Sequence, residues 1–213
     1  MLQNVVKSFP SVKMGDLNVN LQHGWAFQPN PVSIDYSKDY FEKYIKYENS
    51  KIGKDLNNFR CEIAQKYASS ILDIGIGSGT FLKQLTVDKA GFDINPFGVE
   101  WLKNNNLFYN PYLNSELPFG CLTFWDVIEH IAEPYELFKR IKKGTYLITS
   151  IPIFDSIEKV HLSKHYKPNE HLYYFTTKGF VTMMGKYEFD LYEIRSDETR
   201  IGRDNILTFV FRR

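Results

Sequence analysis

Cysteine is scarce in this sequence, and long apolar runs are missing. The two cysteines, Cys61 and Cys121, lie far apart without a CxxC spacing. We therefore expect two reduced, half-buried thiols and neither a disulfide framework nor a thiolate zinc site. No stretch of 18 apolar residues occurs, and no basic region followed by a long apolar one stands at the N-terminus. These absences predict a cytoplasmic protein without a membrane partner.

An excess of charge of one sign is also missing. The 26 Lys and Arg against 25 Asp and Glu give a formal net charge of +1, and no run of five basic residues occurs. The chain therefore has no electrostatic drive toward nucleic acid or an anionic surface. Aromatic residues, by contrast, make up 16% of the 213 residues, as in chains that line a ligand pocket or fill a core. The length indicates one domain with an N-terminal extension.

The region before residue 69 differs from the rest of the chain. Residues 1 to about 34 are rich in Asn, Gln and Pro without a clear period, and Gln28-Pro-Asn-Pro31 disfavours helix. We interpret them as an irregular arm. From about Asp35 to Tyr67, apolar and aromatic residues recur at three- or four-residue steps, which predicts two amphipathic helices broken near Gly53. Residues 1–68 are thus predicted to form an arm and an N-terminal helical cap on a domain of residues 69–213.

From residue 69 onward, short apolar runs alternate with helical stretches near residues 80–86, 96–105, 134–142 and 176–187. Short strands that are apolar on both faces and separated by crossovers predict an α/β fold with a mainly parallel sheet and helices on both faces. The last two strands follow each other without a helix, which predicts an antiparallel C-terminal hairpin, and residues 154–175 form an insertion. The seven predicted strands are Ser70–Ile74, Ala90–Asp93, Leu107–Tyr109, Cys121–Trp125, Thr145–Ile151, Phe189–Arg195 and Ile206–Arg212.

A glycine-rich turn follows the first strand of this domain, in Ile71-Leu-Asp-Ile-Gly75-Ile-Gly77-Ser-Gly79-Thr-Phe-Leu82. Glycines let the backbone turn sharply and approach a ligand, and the helix that follows offers free N–H groups. Asp93 ends the second strand 20 residues beyond Asp73, the spacing expected of a carboxylate that accepts both hydroxyls of a ribose. The segment therefore predicts a nucleotide-like cofactor, with a tight turn alone as the alternative.

The glycine spacing separates two classes of nucleotide cofactor. A pyrophosphate site has the pattern G-x-G-x-x-G, whereas here the third glycine, Gly79, comes one residue early. Asp73 stands two residues before Gly75, where a carboxylate is awkward near a pyrophosphate but suits the ammonium of a bound amino acid. The pattern D-x-G-x-G-x-G therefore favours S-adenosylmethionine (SAM) over NAD or FAD.

At these residues the sequence resembles the class I SAM-dependent methyltransferases, and within them methyltransferase domain family 23, which includes ubiquinone-pathway enzymes. The resemblance covers roughly residues 60–185. It implies a Rossmann-like fold, with SAM as methyl donor and S-adenosylhomocysteine (SAH) as product. It also implies that Ile94 packs on the adenine and that the loop with Asn114 and Ser115 reaches the adenine edge. The cofactor-binding set on this basis is Asp73, Gly75, Ile76, Gly77, Ser78, Gly79, Asp93, Ile94, Asn95, Asn114, Trp125, Asp126 and Val127.

Histidines are the candidate catalytic groups. Phe124-Trp-Asp-Val-Ile-Glu-His-Ile131 matches the family segment that ends the fourth strand beneath the cofactor. His171-Leu-Tyr-Tyr-Phe-Thr176 resembles the family's His-x-x-Tyr-Phe-Thr motif, in an insertion that covers the substrate pocket. Because an imidazole exchanges protons near neutral pH, His130 and His171, followed by His165, are predicted to handle the acceptor's proton. The alternative for each is a structural role, in helix capping, in packing or at the surface.

A metal site is a less favoured interpretation of the same insertion. His161 and His165 would share one face of a helix, and His171 could complete a triad of ligands. Pro168 breaks the segment, however, and no nearby carboxylate pattern supports the triad. We therefore predict a site without a metal.

Together these features predict methyl transfer from SAM to an oxygen or nitrogen nucleophile on a small or medium-sized acceptor. The sulfonium makes the methyl group labile, so the protein mainly has to align the nucleophile, exclude water and remove a proton. A nucleic-acid base or RNA methyltransferase is the first alternative, although it would rely on scattered lysines only. The others are a SAM-binding protein without transferase activity and an NAD-dependent oxidoreductase. The scattered lysines are Lys38, Lys43, Lys46, Lys51 and Lys54.

Overall fold

The strands of the chain form two sheets, a central sheet of six strands and a smaller one of four. The computed structural model describes residues 4–29 and 38–213. The strands are β1 (Val12–Met14), β2 (Leu17–Asn20), β3 (Trp25–Phe27), β4 (Ser70–Ile74), β5 (Asp88–Phe92), β6 (Cys121–Trp125), β7 (Tyr146–Pro152), β8 (Tyr173–Phe175), β9 (Asp190–Arg195) and β10 (Ile206–Arg212). The helices are α1 (Lys38–Glu48), α2 (Lys51–Tyr67), α3 (Thr80–Gln84), α4 (Pro96–Asn104), α5 (Tyr135–Phe138), α6 (Thr177–Lys186) and α7 (Asp197–Ile201).

The central sheet has the strand order β5-β4-β6-β7-β10-β9. The four neighbouring strands β5, β4, β6 and β7 pair in parallel, and β10 pairs antiparallel with both β7 and β9. This arrangement confirms the predicted mainly parallel sheet and its antiparallel C-terminal pair. The carboxyl ends of β4, β5, β6 and β7 therefore meet at one edge of the sheet, where open α/β sheets bind ligands.

Two details of the predicted sheet are wrong. Leu107–Tyr109 forms a single bridge, in which the N–H of Gly91 donates to Leu107 and the N–H of Tyr109 donates to Gly91. The sheet therefore has six strands rather than seven. The segment cannot extend because it runs into a turn at Asn110-Pro111, and proline lacks the N–H of a strand residue. The C-terminal strands are also separated by α7, whose acidic first turn and left-handed Gly202 suit a short helix.

The described part of the N-terminal arm contains three short strands, which corrects the prediction of an irregular segment. The strands β1, β2 and β3 form an antiparallel meander, and β3 pairs with β8, which lies in the predicted insertion. Gly15, at a φ of +58°, makes the turn between β1 and β2. The buried Trp25 joins the same apolar cluster as Phe124 of the central sheet. Strands of three or four residues leave too little alternation for sequence detection. Residues 30–37 of this region lie outside the described residues.

The two predicted N-terminal helices exist as α1 and α2, but the chain breaks between them at Asn49-Ser50 rather than near Gly53. Ser50 begins α2 because its side chain accepts a hydrogen bond from the backbone N–H of Gly53 at 3.1 Å. Gly53 allows a close approach, since a Cβ there would lie 2.4 Å from the carbonyl oxygen of Tyr47. Among the described residues, no helix has the length and apolar character needed to cross a membrane.

The core has two halves, one on each face of the central sheet. Ile71 and Cys121 pack with α2, α3 and α4 on one face, whereas Leu72 and Leu122 pack with α5 and α6 on the other. This alternation confirms helices on both faces, although the predicted helix 134–142 is reduced to α5. Both cysteines are free and buried rather than half-buried.

Candidate active site

Two neighbouring cavities lie at the carboxyl ends of β4 and β6. The first, the apolar cavity, has a volume of about 320 Å³. The second, the polar cavity, has a volume of about 160 Å³. They meet because Gly75, Gly77, Trp125, Asp126 and His130 line both. The other walls of the apolar cavity are Phe41, Ile74, Phe92, Asp93, Ile94, Asn95, Tyr112, Val127, Ile131 and Ala132.

The glycine loop forms the floor shared by the two cavities. Gly75 and Gly77 have φ values of +77° and +56°, which side chains rarely adopt. Gly75 also lies so close to Val127 that a Cβ would be 2.5 Å from its Cγ2 atom. Gly79 lines neither cavity, because it faces the ring of Trp101, 2.6 Å from the position of a Cβ. Gly79 is therefore needed to pack the loop against α4.

Ser78 and Ile76 also hold the loop rather than only facing a ligand. The Ser78 hydroxyl contacts Thr80 at 2.8 Å and donates to Glu48, at the end of α1. The side chain of Ile76 is buried, and its N–H donates to Asp93 at 2.9 Å. Asn114 lies outside both cavities on the exposed surface, where its amide donates to the hydroxyl of Tyr109 at 2.7 Å.

Asp93 sits at the edge of the apolar cavity. One carboxylate oxygen of Asp93 accepts from the N–H of Ile76, and the other accepts from the N–H of Asn95 at 2.8 Å. Each oxygen of a carboxylate can accept a further hydrogen bond, so two positions remain for a pair of hydroxyl groups. Burial raises the pKa of Asp93, and the exposed side chain of Ile94 beside it offers a free apolar surface. Asn95 begins α4 by accepting from the N–H of Phe97. The arrangement fits a ribose with a planar base beside it.

Asp73 lines the polar cavity at the end of β4 and is fully buried. Burial raises its pKa to about 8, even though the hydroxyl of Thr123 donates to its carboxylate at 2.7 Å. A buried carboxyl with a raised pKa gains a favourable partner when a cation arrives. The indole N–H of Trp125 is also buried, without a hydrogen-bond partner among the described residues. These two groups fit the charged end of SAM.

Asp126 links the cavities to a buried group of ions. Its φ of +59° is unusual for a residue with a side chain, and its carboxylate accepts from Arg203 at 2.9 Å and from Arg60 at 3.2 Å. Burial would raise the pKa of Asp126, but Arg203 and Arg60 hold it well below its usual range. Glu198 of α7, which is fully buried, accepts from Arg60 at 2.9 Å and from Ser150 at 2.6 Å. The roles of Arg60, Glu198 and Arg203 were not predicted from the sequence.

The structure brings His130 and His171 together in the polar cavity. Their rings meet edge to face, with centroids 4.8 Å apart. Burial lowers the pKa of His130 and brings that of His171 to about 3, so both imidazoles stay neutral. Glu129 joins them, and the three residues offer ligand atoms that all lie within 4.8 Å of one another. Glu129 precedes His130 in the segment Phe124–Ile131, but the sequence pattern did not predict a role for its carboxylate.

The other two histidines of the insertion lie apart from this pair. His165 is at the side of the polar cavity, where its Nε2 atom contacts the carbonyl oxygen of Asp204 at 2.7 Å. His161 is exposed and lines a different cavity beside β1 and β2. The alternative metal triad of His161, His165 and His171 is therefore not assembled in the described part of the chain.

Comparisons with known proteins give one family match and several similar solved structures. The model of methyltransferase domain family 23 matches residues 41–194, whereas a comparison with curated proteins gives no match. A SAM-dependent methyltransferase from Archaeoglobus fulgidus has a similar structure, with a TM-score of 0.57 at 13% identity over 82% of this chain and 99% of the other. The 1,6-didemethyltoxoflavin-N1-methyltransferase from Burkholderia thailandensis, solved with its substrate and SAH, has a TM-score of 0.57 at 11% identity over 89% and 95%. The [4+2]-cyclase SpnF has a TM-score of 0.61 at 9% identity over 88% and 98%.

The three structures share the Rossmann-like fold with this chain, and the family match covers more than half of its length. The glycine loop, Asp73 and Asp93 lie at the carboxyl ends of β4 and β5, where open α/β sheets bind ligands. The chain therefore belongs to methyltransferase domain family 23, as a class I SAM-dependent methyltransferase.

Proposed function

We propose that the protein transfers a methyl group from SAM to an oxygen or nitrogen nucleophile on a small or medium-sized acceptor. The observation that carries this proposal is the meeting of the two cavities at Trp125, Asp126 and His130. The apolar cavity suits an adenosine. The polar cavity is bounded by the neutral imidazoles of His130 and His171 and by the buried carboxyl of Asp73. The similar structure from Burkholderia thailandensis is of an N-methyltransferase with the small molecule 1,6-didemethyltoxoflavin bound, which supports a small-molecule acceptor.

When bound, SAM supplies a methyl carbon to which the acceptor's lone pair bonds while the carbon–sulfur bond breaks, leaving its electrons on sulfur as SAH and releasing the acceptor's proton. The chain's task is to hold both partners in line and to exclude water. Asp93 accepts the ribose hydroxyls, and Asp73 faces the cationic end. His130 and His171 contact the acceptor, with His165 at the side of the cavity.

Replacing Asp93 by alanine is expected to weaken SAM binding by at least roughly 10- to 150-fold, because the loss of even one charge-assisted hydrogen bond costs about 1.5–3 kcal/mol. Titration calorimetry with SAM, SAH and NAD would measure it. Asp88→Ala is the matched control, since Asp88 is an exposed carboxylate at the start of β5, the strand that Asp93 follows. Equal affinities of the two variants, or binding of NAD alone, would contradict the assignment of the apolar cavity.

SAM binding is also expected to strengthen with pH. Asp73 has a pKa of about 8 because it is buried, so below that pH a cation can contact its carboxylate only after a proton leaves. Affinity should therefore rise by up to about tenfold per unit between about pH 5.5 and 7.5, where the amino group of SAM stays charged. In the Asp73→Asn variant, the SAM affinity measured by calorimetry should not change with pH over this range. A wild-type slope that the substitution leaves unchanged would show that another group titrates.

The helix α1 is proposed to act as a lid, with residues 1–68 an appendage to a SAM-binding domain of residues 69–213. Phe41 lines the apolar cavity, Tyr47 and Glu48 line the polar one, and Glu48 accepts from Ser78 of the glycine loop. We expect SAM to slow hydrogen exchange in residues 38–48 as well as in the loop. Protection confined to residues after Ser70 would instead mean that α1 only pads the sheet.

The nucleic-acid alternative gains no support from the surface of these helices. Lys38 pairs with Glu42 and Lys51 pairs with Asp55, each one turn away on the same helix. Pairing of this kind offsets the charge of these two lysines, two of the five that a phosphate backbone would contact. The small acceptor is therefore the function that we propose.

A further inference from the structure

The carboxylate of Glu129 is the most unusual polar group of the polar cavity. The residue is 1% exposed, and neither carboxylate oxygen has a hydrogen-bond partner in another described residue. Burying such a group without a partner is unfavourable. Proteins retain an unpartnered buried carboxyl where a ligand or a metal ion completes it. Glu129 therefore points to a cationic partner within the polar cavity.

The imidazole of His130 is oriented as a metal ligand is. Its Nδ1 atom lies 2.7 Å from the carbonyl oxygen of Glu170, to which it must donate. The Nε2 atom therefore carries the free lone pair. Histidines that bind metals have this arrangement, in which one ring nitrogen binds the ion and the other donates to a carbonyl or carboxylate.

The backbone fixes the third group relative to the first two. The N–H of Leu172 donates to the carbonyl oxygen of Glu129 at 2.8 Å, and the N–H of His171 donates to that of Lys167 at the same distance. The insertion is thus tied to the segment that follows β6, at the point where both contribute a ligand atom. The ligand atoms of Glu129, His130 and His171 are within 4.8 Å of one another before any ion arrives. Ligand atoms this close together can converge on one ion through small side-chain movements.

We propose that Glu129, His130 and His171 bind one divalent transition-metal ion, such as Zn²⁺ or Co²⁺, whose open positions receive a hydroxyl oxygen of the methyl acceptor. Two imidazoles and one carboxylate suit these ions, whereas Mg²⁺ and Ca²⁺ prefer ligand sets of oxygen alone. Three protein ligands also leave positions open, as in catalytic zinc sites. This inference rests on the proposed function and narrows it to transfer to oxygen, because a metal-bound hydroxyl loses its proton to water at a lower pH.

Direct metal binding by the full chain tests the site without any activity. After dialysis against a chelator, the protein is titrated with Co²⁺ and followed by visible absorption and calorimetry. We expect one Co²⁺ per chain with an absorption band of nitrogen and oxygen ligation. Glu129→Gln and His171→Ala should each weaken binding by about 100-fold or more. His161→Ala, the matched control, should bind as the wild type does, because His161 is exposed outside the polar cavity.

Folding of the variants can be separated from loss of the site. Glu129→Gln replaces an unpartnered buried carboxyl with a neutral amide of nearly the same shape, so the metal-free variant should melt close to the wild-type temperature. Addition of Co²⁺ should raise the melting temperature of the wild type and of His161→Ala only. A wild-type chain that binds Co²⁺ no more tightly than a folded Glu129→Gln variant overturns the metal site. Weakening in His161→Ala equal to that in His171→Ala also overturns it.

The metal site and the proposed function fail in different experiments. Failure of the proposed function would appear as a chain that binds Co²⁺ and SAM but forms no SAH with hydroxyl or amine acceptors. The metal site would stand in that case. SAH formation that neither chelator treatment nor Glu129→Gln reduces would overturn the metal's role while leaving the methyl transfer in place.

Discussion

Replacing Glu198 by alanine is expected to lower the free energy of unfolding by about 3–5 kcal/mol. Glu198 is fully buried in α7 and accepts hydrogen bonds from Arg60, Arg203 and Ser150. Its loss leaves Arg60, which is also buried, with Asp126 as a longer partner at 3.2 Å. An arginine cannot lose its charge to relieve this cost, since its pKa stays above 12 in proteins. Urea unfolding followed by circular dichroism measures the change.

Asp204→Ala is the control for this prediction. Asp204 also pairs with a basic residue, Lys164, at 2.8 Å, but the side chains are 69% and 60% exposed. A solvent-exposed pair contributes little to stability, so this variant should unfold close to the wild type. If the two substitutions lowered the free energy of unfolding equally, burial would not explain how much the ion pairs of Glu198 stabilise the fold.

The parts of the fold that the sequence predicts correctly are those with strong local signals. The strands β4, β6 and β7 are apolar on both faces, and a buried parallel strand shows this in its own residues. The small sheet was missed because β1, β2 and β3 have three or four residues each. Pairing of β3 with β8 also joins residues that are about 150 positions apart, as Trp25 and Phe175 do. No local pattern reports such a contact.

The site also has residues that local sequence predicts and residues that only tertiary packing brings together. The glycine loop and Asp93 could be predicted because a turn and a spacing along one chain segment carry them. Gly79 shows the limit of that reasoning, since the same glycine pattern serves packing against Trp101. Arg60 and Glu198 are 138 residues apart, and they meet only because α2 and α7 pack on the same part of the sheet. The partner of a buried charge is decided by tertiary packing, which periodicity does not describe.

Replacing His171 by alanine is expected to reduce turnover by roughly 100-fold or more while SAM affinity stays nearly unchanged. His171 lines the polar cavity, and it is absent from the walls of the apolar cavity that suits the adenosine. SAH formation with a panel of hydroxyl and amine acceptors gives kcat and KM, and calorimetry gives the SAM affinity. His161→Ala serves as the control, since its exposed side chain lies outside both cavities.

The pattern of the loss distinguishes what His171 does. A general base lost by substitution would lower kcat and leave the metal content of the protein unchanged. A metal ligand would lower kcat and metal content together, and excess Co²⁺ should restore part of the activity by mass action. Burial brings the pKa of His171 to about 3, so its imidazole is neutral at neutral pH, as either role requires. A raised acceptor KM at unchanged kcat would show instead that His171 only positions the acceptor, and the larger loss should then be found in His130→Ala.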